Sequence, residues 1–248
     1  MKYFIISDIH SNLEALTATL ATLRDETLMV LGDVIGYGAD PKACIEIIRN
    51  LDVHCFMGNH DNVQLDLTNL RYFNPLAKES TLYTKSCLSD ADIQWIRSLP
   101  TERIMGKLYF THGSPYDPEG FHYLMPQDLC STWLQLSFFR MVDLAVSVAF
   151  IGHTHLPGYF TDDNGSYSFT PLTAGDQVTL DPSKRYIINS GSVGQPRNHD
   201  CNAQFLVFDD ETSSIEMHSV PYDIDKTTAK IKAAGLPHQL GERLYLGI

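Results

Sequence analysis

Five apolar runs in this chain end on polar segments drawn from a narrow set of residue types. The segments are Asp8-Ile9-His10, Gly32-Asp33, Gly58-Asn59-His60-Asp61, His112-Gly113 and Gly152-His153-Thr154-His155. Each follows a stretch that reads as a strand. In open α/β sheets the carboxyl ends of strands form the crevice where ligands bind, so segments far apart in sequence can converge there. Their order and shared position at strand ends constrain the fold more than any other feature of the chain.

The flanking patterns supply the other elements. Lys2 to Ser7 is short, aromatic and β-branched, and reads as a buried strand. Ser11-Asn12-Leu13-Glu14 has capping-box spacing, and Leu13, Leu16, Leu20 and Leu23 recur at helical intervals. The strand-loop-helix pattern repeats with a strand over Thr27 to Leu31, a helix opened by Asp40-Pro41 and running to about Arg49, and a strand over Val53 to Met57. Further helices start at Asn74-Pro75 and at Ser89-Asp90-Ala91-Asp92. Strands are expected over Ile104 to Thr111 and Leu144 to Ile151, with a helix from about Pro126 to Arg140 between them.

After Gly158 the pattern becomes mostly strands. One hairpin spans Tyr159 to Thr170 around Asp163-Asn164-Gly165, a strand covers Arg185 to Asn189, and a second hairpin runs from Ala203 to Val220. One or two short helices are expected beyond Asp223. No repeat, low-complexity stretch or linker interrupts the chain. The expectation is one α/β (α+β) domain over residues 1–248, with two packed sheets and helices outside.

Hydrophobic residues make up 44% of the 248, which predicts a packed core. The net charge of -12 argues against binding a nucleic-acid duplex, which needs clustered Lys and Arg. It does not exclude a small phosphorylated substrate, because bound divalent cations reverse the local field. Cys44, Cys55, Cys87, Cys130 and Cys201 are scattered, odd in number and lack a Cys-x-x-Cys pair, so reduced thiols are expected. The first apolar run is too short for a signal peptide, and no stretch approaches the ~20 apolar residues of a membrane span. The reading is a cytoplasmic protein without a membrane partner; its oligomeric state is left open.

Taken singly, the strand-end segments are weak evidence, since Asp and Asn also cap helices and shape turns. Together they form a ligand set. Asp8 and His10 alternate in one loop, and His153 and His155 repeat that spacing in another. Asp33, before the Gly36-Tyr37-Gly38 loop, could bridge two ions with its two carboxylate oxygens. Asn59 offers an amide oxygen and His112 an imidazole nitrogen. Mixed oxygen and imidazole ligation without thiolate suits Mn²⁺, with Fe, Zn²⁺ or Ni²⁺ as alternatives. Two ions roughly 3.5–4 Å apart would hold a hydroxide between them and clamp both oxygens of an in-line displacement at phosphorus.

The blocks Asp-x-His, Gly-Asp, Gly-Asn-His-Asp, His and Gly-His-x-His resemble those of the calcineurin-like metallophosphoesterase family, across about residues 1 to 197. The resemblance implies a four-layer αββα sandwich of two mixed sheets. It also implies that Asp8, His10, Asp33 and His155 hold one ion, and that Asp33, Asn59, His112 and His153 hold the other. His60 would be the acid near the leaving group, with Asp61 orienting its ring or, alternatively, capping the next turn. An imidazole titrates near working pH, so this role is chemically reasonable.

Asn189-Ser190-Gly191-Ser192-Val193 resembles the Asn-Pro-Gly-Ser-Val segment of small bacterial and archaeal phosphodiesterase-like members, including those related to a retromer scaffold subunit. Ser190 replaces the usual Pro. Arg197 could grip a substrate phosphate or form a surface ion pair. His199 and Asp200 lie beside it in sequence, and His122 sits in the loop after His112. Protein Ser/Thr phosphatases and symmetrical diadenosine tetraphosphatases carry Gly-Asp-x-x-Asp-Arg-Gly, whereas here Gly32-Asp33 is followed by Val34-Ile35-Gly36-Tyr37-Gly38. The expected function is therefore phosphodiester hydrolysis of a small substrate, including nucleotides. Phosphomonoesterase or dinucleoside-polyphosphate hydrolase activity, or a non-catalytic scaffold of the same fold, are the alternatives.

Overall fold

The structure, a computed structural model, describes all residues 1–248. In chain order its first half runs β1 (Lys2–Ile6), α1 (Leu13–Leu20), β2 (Thr27–Val30), α2 (Pro41–Leu51), β3 (His54–Cys55), α3 (Asn59–Asn62), α4 (Pro75–Cys87) and α5 (Asp90–Ser98). There follow β4 (Glu102–Met105), β5 (Leu108–Thr111), α6 (Thr132–Asp143), β6 (Val148–Ile151), β7 (Gly158–Asp163) and β8 (Ser166–Pro171). The chain ends with β9 (Gln177–Thr179), β10 (Tyr186–Asn189), β11 (Ala203–Asp209), β12 (Ser214–Val220), α7 (Ile224–Ala233) and α8 (Gln239–Leu246).

Two mixed sheets of six strands each pack face to face, one ordered β3-β2-β1-β11-β12-β9 and the other β4-β5-β6-β10-β7-β8. Strand alternation explains the layers. In β1, Tyr3 and Ile5 join Met29, Phe110, Phe150 and Phe208 in the core between the sheets. Phe4 and Ile6 face the other way, toward Leu16 of α1 and Ile45 and Ile48 of α2. On the second sheet Ala149, Ile151 and Ile187 pack under Leu134, Phe138 and Met141 of α6. Strands buried on both faces read as continuous apolar runs, as these do. The result is the four-layer αββα sandwich, and no helix is long and apolar enough to cross a membrane.

Each sheet holds a block of three parallel strands, β3-β2-β1 in one and β5-β6-β10 in the other. Parallel strands end on the same side, so the segments after β1, β2, β3, β5 and β6 meet at one edge of the sandwich. The site is therefore assembled from both sheets.

Several boundaries differ from expectation, each for a local reason. The stretch 104–111 is not one strand, because Gly106, at φ +61°, turns it into the β4–β5 hairpin. The strand expected over 53–57 pairs only at His54–Cys55, since the Met57 amide is diverted to the Pro100 carbonyl at 2.8 Å. The helix expected from Pro126 starts at Thr132, after two turns closed on Met125 and Asp128. Left-handed Ala145 delays β6 to Val148. The short edge strand β9 was not foreseen.

Candidate metal centre

The residues that end the parallel strands are held in backbone conformations that side chains seldom accept. Asp8, His10, Asp33, His153 and His155 all have φ between +50° and +69°. Left-handed backbone costs free energy outside glycine, and Asp, Asn and His tolerate it best. Glycines make the room: a Cβ at Gly58 would strike Asp33, and one at Gly152 would strike Ser7 and Asp8.

The strained loops bring seven of the sequence-selected side chains together. Asp8, His10 and His155 form one group of ligand atoms close enough to hold an ion, and Asp33, His112 and His153 form another. Asp8 Oδ1 faces His155 Nε2 at 3.1 Å and His10 Nε2 at 3.7 Å. Asp33 Oδ2 faces His112 Nε2 at 3.3 Å and His10 Nε2 at 3.8 Å, so it looks toward both groups. Asn59 Oδ1 lies 3.3 Å from His112 Nε2. All the histidine and aspartate members are buried.

Asp33 differs from expectation in one respect. Its Oδ1 accepts the His60 backbone N–H at 2.8 Å, so Oδ2 alone faces the two groups.

The outer hydrogen bonds decide what the rings present inward. The Nδ1–H groups of His10, His112 and His155 donate to the carbonyls of Ile35, Leu31 and Gln195 at 3.2, 2.9 and 2.5 Å. A neutral imidazole that donates from Nδ1 has only a lone pair at Nε2. His10 and His155 then aim two lone pairs at each other across 3.1 Å, next to the Asp8 carboxylate. That contact is repulsive unless a proton or a metal cation lies among the atoms. Asp8 Oδ1 and His153 Nε2 are buried without a hydrogen-bond partner. Oxygen and imidazole donors without thiolate complete a set that fits divalent ions of the Mn²⁺, Fe or Zn²⁺ kind.

Electrostatics set His112 apart: without a metal it holds a proton at neutral pH, which an ion would have to displace before Nε2 offers a lone pair. Burial would depress the His112 pKa, but the carboxylates of Asp33, Asp8 and Asp61 outweigh it and push it up to about 9. Despite burial, the neighbouring histidines hold Asp8 and Asp33 well below the usual carboxylate range. Burial keeps His10 and His153 well below the usual imidazole value.

His60 lies beside this cluster, with its ring 5.0 Å from His10, 4.6 Å from Tyr37 and 4.9 Å from Phe73. Its position also lets it group with His10 and Asp33 as a third potential set of ligands. The expected hydrogen bond from its ring to Asp61 is absent: His60 Nδ1 is buried without a partner. Asp61 instead accepts the amides of Gly58, Ile35 and Val34 at 3.0, 3.3 and 3.4 Å. It ties the α3 turn to the loop after β2, which is the capping alternative, because its carboxylate is turned toward backbone amides rather than toward the ring.

Arg197 makes no ion pair. Its Nη2 donates to Gln195 Oε1 at 2.9 Å, its Nε is buried without a partner, and its charge lowers the pKa of both His60 and His155. His199 and Asp200 do not share this rim; they line a separate small cavity with Gln204 and Met217. His122 is engaged elsewhere too, bound to Asp117 at 2.9 Å and stacked on Trp133 with centroids 3.5 Å apart.

Sequence reasoning missed the residues that brace the loops. Asn189 Nδ2 donates to the Gly152 carbonyl at 2.5 Å and to Thr154 Oγ1 at 2.9 Å, while Ser192 Oγ donates to the Asp8 carbonyl at 2.9 Å. The Asn-Ser-Gly-Ser segment thus braces the loops that carry Asp8 and His153. Tyr123, stacked on His153 at 3.7 Å, was also missed; it lies in a loop with no periodic signal.

Comparisons with known proteins bear on this site. Residues 1–213 match the family model described as the calcineurin-like phosphoesterase superfamily domain. An uncharacterized protein of Methanocaldococcus jannaschii is 39% identical over 98% of this chain and 97% of its own length. The crystal structure of a metallophosphoesterase from Sphaerobacter thermophilus superposes with a TM-score of 0.86 and 34% identity, covering 100% of both chains. A hypothetical protein from Pyrococcus horikoshii shares the fold with a TM-score of 0.79 at 20% identity, over 100% of this chain and 98% of the other. An Asp/His cluster able to hold metal at the strand ends and relatives that match along the full length leave one assignment: the chain belongs to the calcineurin-like phosphoesterases, a family of metal-dependent phosphoester hydrolases.

Proposed function

We propose that the protein is a dinuclear metal-dependent phosphodiesterase. The opposed lone pairs of His10 and His155 at 3.1 Å, beside an Asp8 oxygen without a hydrogen bond, carry the metal reading. Asp8, His10, Asp33 and His155 would hold one ion, and Asp33, Asn59, His112 and His153 the other, with Asp33 common to both sets. Two divalent ions, Mn²⁺ first among them, would supply Lewis-acid polarisation of a phosphoryl oxygen and lower the pKa of water.

The chain's own residues do the rest. Carbonyls of Ile35, Leu31 and Gln195 fix the ring orientations, which removes reorganisation from the reaction itself. Arg197 brings a positive charge near His60 and His155, which would attract a substrate phosphate. Burial, outweighing the attraction of Asp33, lowers the His60 pKa to about 4. At neutral pH its ring is therefore neutral and offers a departing oxygen an N–H hydrogen bond rather than a full cationic acid. The preference for diesters follows the likeness of the Asn189–Val193 segment and the lack of the Asp-Arg-Gly block.

Steady-state kinetics with added Mn²⁺ on bis(p-nitrophenyl) phosphate and on p-nitrophenyl phosphate test this reading. A higher kcat/KM on the diester is expected. The reverse order would make the protein a monoesterase, and no turnover on either would remove the enzyme reading.

A further inference from the structure

A cavity of about 350 Å³ opens beside the metal cluster, with Asn59, His60 and His153 on its inner wall. Its outer lining is unusual in kind. Tyr37, Tyr72, Phe73, Phe121 and Tyr123 line it, drawn from three separate segments of the chain. Tyr72 is 75% exposed and Tyr123 50% exposed, so large apolar rings face solvent beside a polar centre. Aromatic side chains bury well against a planar partner, and exposed apolar surface grouped in a concavity marks a ligand site.

Polar groups on the same lining narrow the partner. Asn62, Asn69 and Asn74 contribute side-chain amides. Asn74 spends its carbonyl oxygen on the Ala77 amide that opens α4, leaving its NH₂ available. Glu119 is the one carboxylate, and no Lys or Arg lines the cavity. A second phosphate or another anion has nothing to neutralise it here. A simple phenyl ring would leave the amides and Glu119 without matching partners, and unmatched polar groups lose affinity. A flat, neutral ring system with donors and acceptors along its edge satisfies both parts of the lining.

We propose that this cavity, 350 Å³ in volume, is the subsite for a single nucleoside of the substrate, whose base stacks on the aromatic rings and turns its edge to the amides and Glu119. The inference rests on the phosphoesterase reading above and adds the substrate class: a nucleotide ester, with the nucleoside on the His60 side of the phosphorus. The volume is at the small end for ligand sites, which suits one nucleoside and not a longer strand.

Calorimetric titration of the Mn²⁺-loaded full chain tests the subsite with inert ligands. The probes are the 5′-methylene phosphonates of adenosine, guanosine, cytidine and uridine, with the ribose and phenyl phosphonates as controls. At least one nucleoside probe should bind about tenfold tighter than the ribose probe, the worth of one stacked base. Tyr72→Ala and Asn69→Ala should each cut that ratio at least about threefold while leaving ribose phosphonate binding as it was. A ratio near one, or one untouched by both substitutions, overturns the proposal. Tightest binding of the phenyl probe overturns it in favour of an aryl or phosphotyrosine ester. Hydrolysis of aryl diesters without a base preference would defeat the subsite alone, whereas a base preference without any hydrolysis would defeat the hydrolase reading alone.

Discussion

At the scale of single residues, neighbours in sequence have separable jobs. Asn59 and His60 sit side by side, yet Asn59 Oδ1 faces His112 and the His60 ring packs on Tyr37 and Phe73. His60→Ala should keep its metal and lose most turnover, by about 10²-fold or more, as expected for a group that serves the leaving oxygen. Asn59→Ala should instead weaken one of two metal equivalents. Elemental analysis with parallel kinetics checks both, and full activity of His60→Ala at neutral pH would end the role given to it. Asp61 predicts a third behaviour. Its carboxylate serves three buried amides, so Asp61→Ala should lower the unfolding free energy of the metal-free protein by about 2 kcal/mol. Urea unfolding reads this directly; an unchanged midpoint would return Asp61 to the ring-orienting role.

At the scale of elements, the loops that carry the candidate ligands are strained and stay in place because another segment holds them. Asn189 bonds the carbonyl of Gly152 and the hydroxyl of Thr154, on either side of left-handed His153. Asn189→Ala should leave the sheets intact and weaken metal binding about tenfold, since supporting residues of metal ligands typically act on that scale. Metal titration against far-UV circular dichroism separates the two; an affinity equal to the parent would show that the loop holds its own shape.

This division also explains what could be read from the sequence. Apolar runs of β1, β2, β5 and β6 and the residues that end them were legible, because burial on both faces and polar strand ends both leave local patterns. Asn189 as a brace and Tyr123 as a wall were not, since each acts through partners at least 30 residues away or through an irregular loop. The Asp61–His60 pairing was misjudged because adjacency in sequence says nothing about which way a carboxylate turns inside a four-residue helix.

At the scale of the whole molecule, the last two helices close over the side of the site. Ile231, Leu240 and Leu244 pack on Tyr37, whose ring lies 4.8 Å from His10. One polar cluster pins them: Lys230 Nζ donates to Glu14 Oε1 at 2.7 Å and to Asp40 Oδ2 at 2.8 Å, with Lys226 Nζ 3.1 Å from the same Glu14 oxygen. The Glu14 side chain is only 6% exposed. Burial alone would raise its pKa, but the hydrogen bonds from Lys230 and Lys226 outweigh this and leave it below its ordinary 4.5. A carboxylate with a depressed native pKa stabilises the fold above its unfolded value and loses that contribution as pH falls through the native value. Lys230, raised above its ordinary 10.5 because Asp40 and Glu14 outweigh burial, contributes fully below 10.5 and fades as pH climbs past it. The cluster is thus at full strength across neutral pH and fails first on the acid side. Glu14→Gln should cost about 2 kcal/mol at pH 7, the worth of a hydrogen-bonded charge pair. Once the pH lies below the native value of Glu14, itself under 4.5, the gap between parent and variant should close, because the parent has then lost the same charge. Urea unfolding of both metal-free proteins at the two pH values provides the measurement. A gap that persists in acid would mean that Glu14 holds the terminal helices by shape, not by charge.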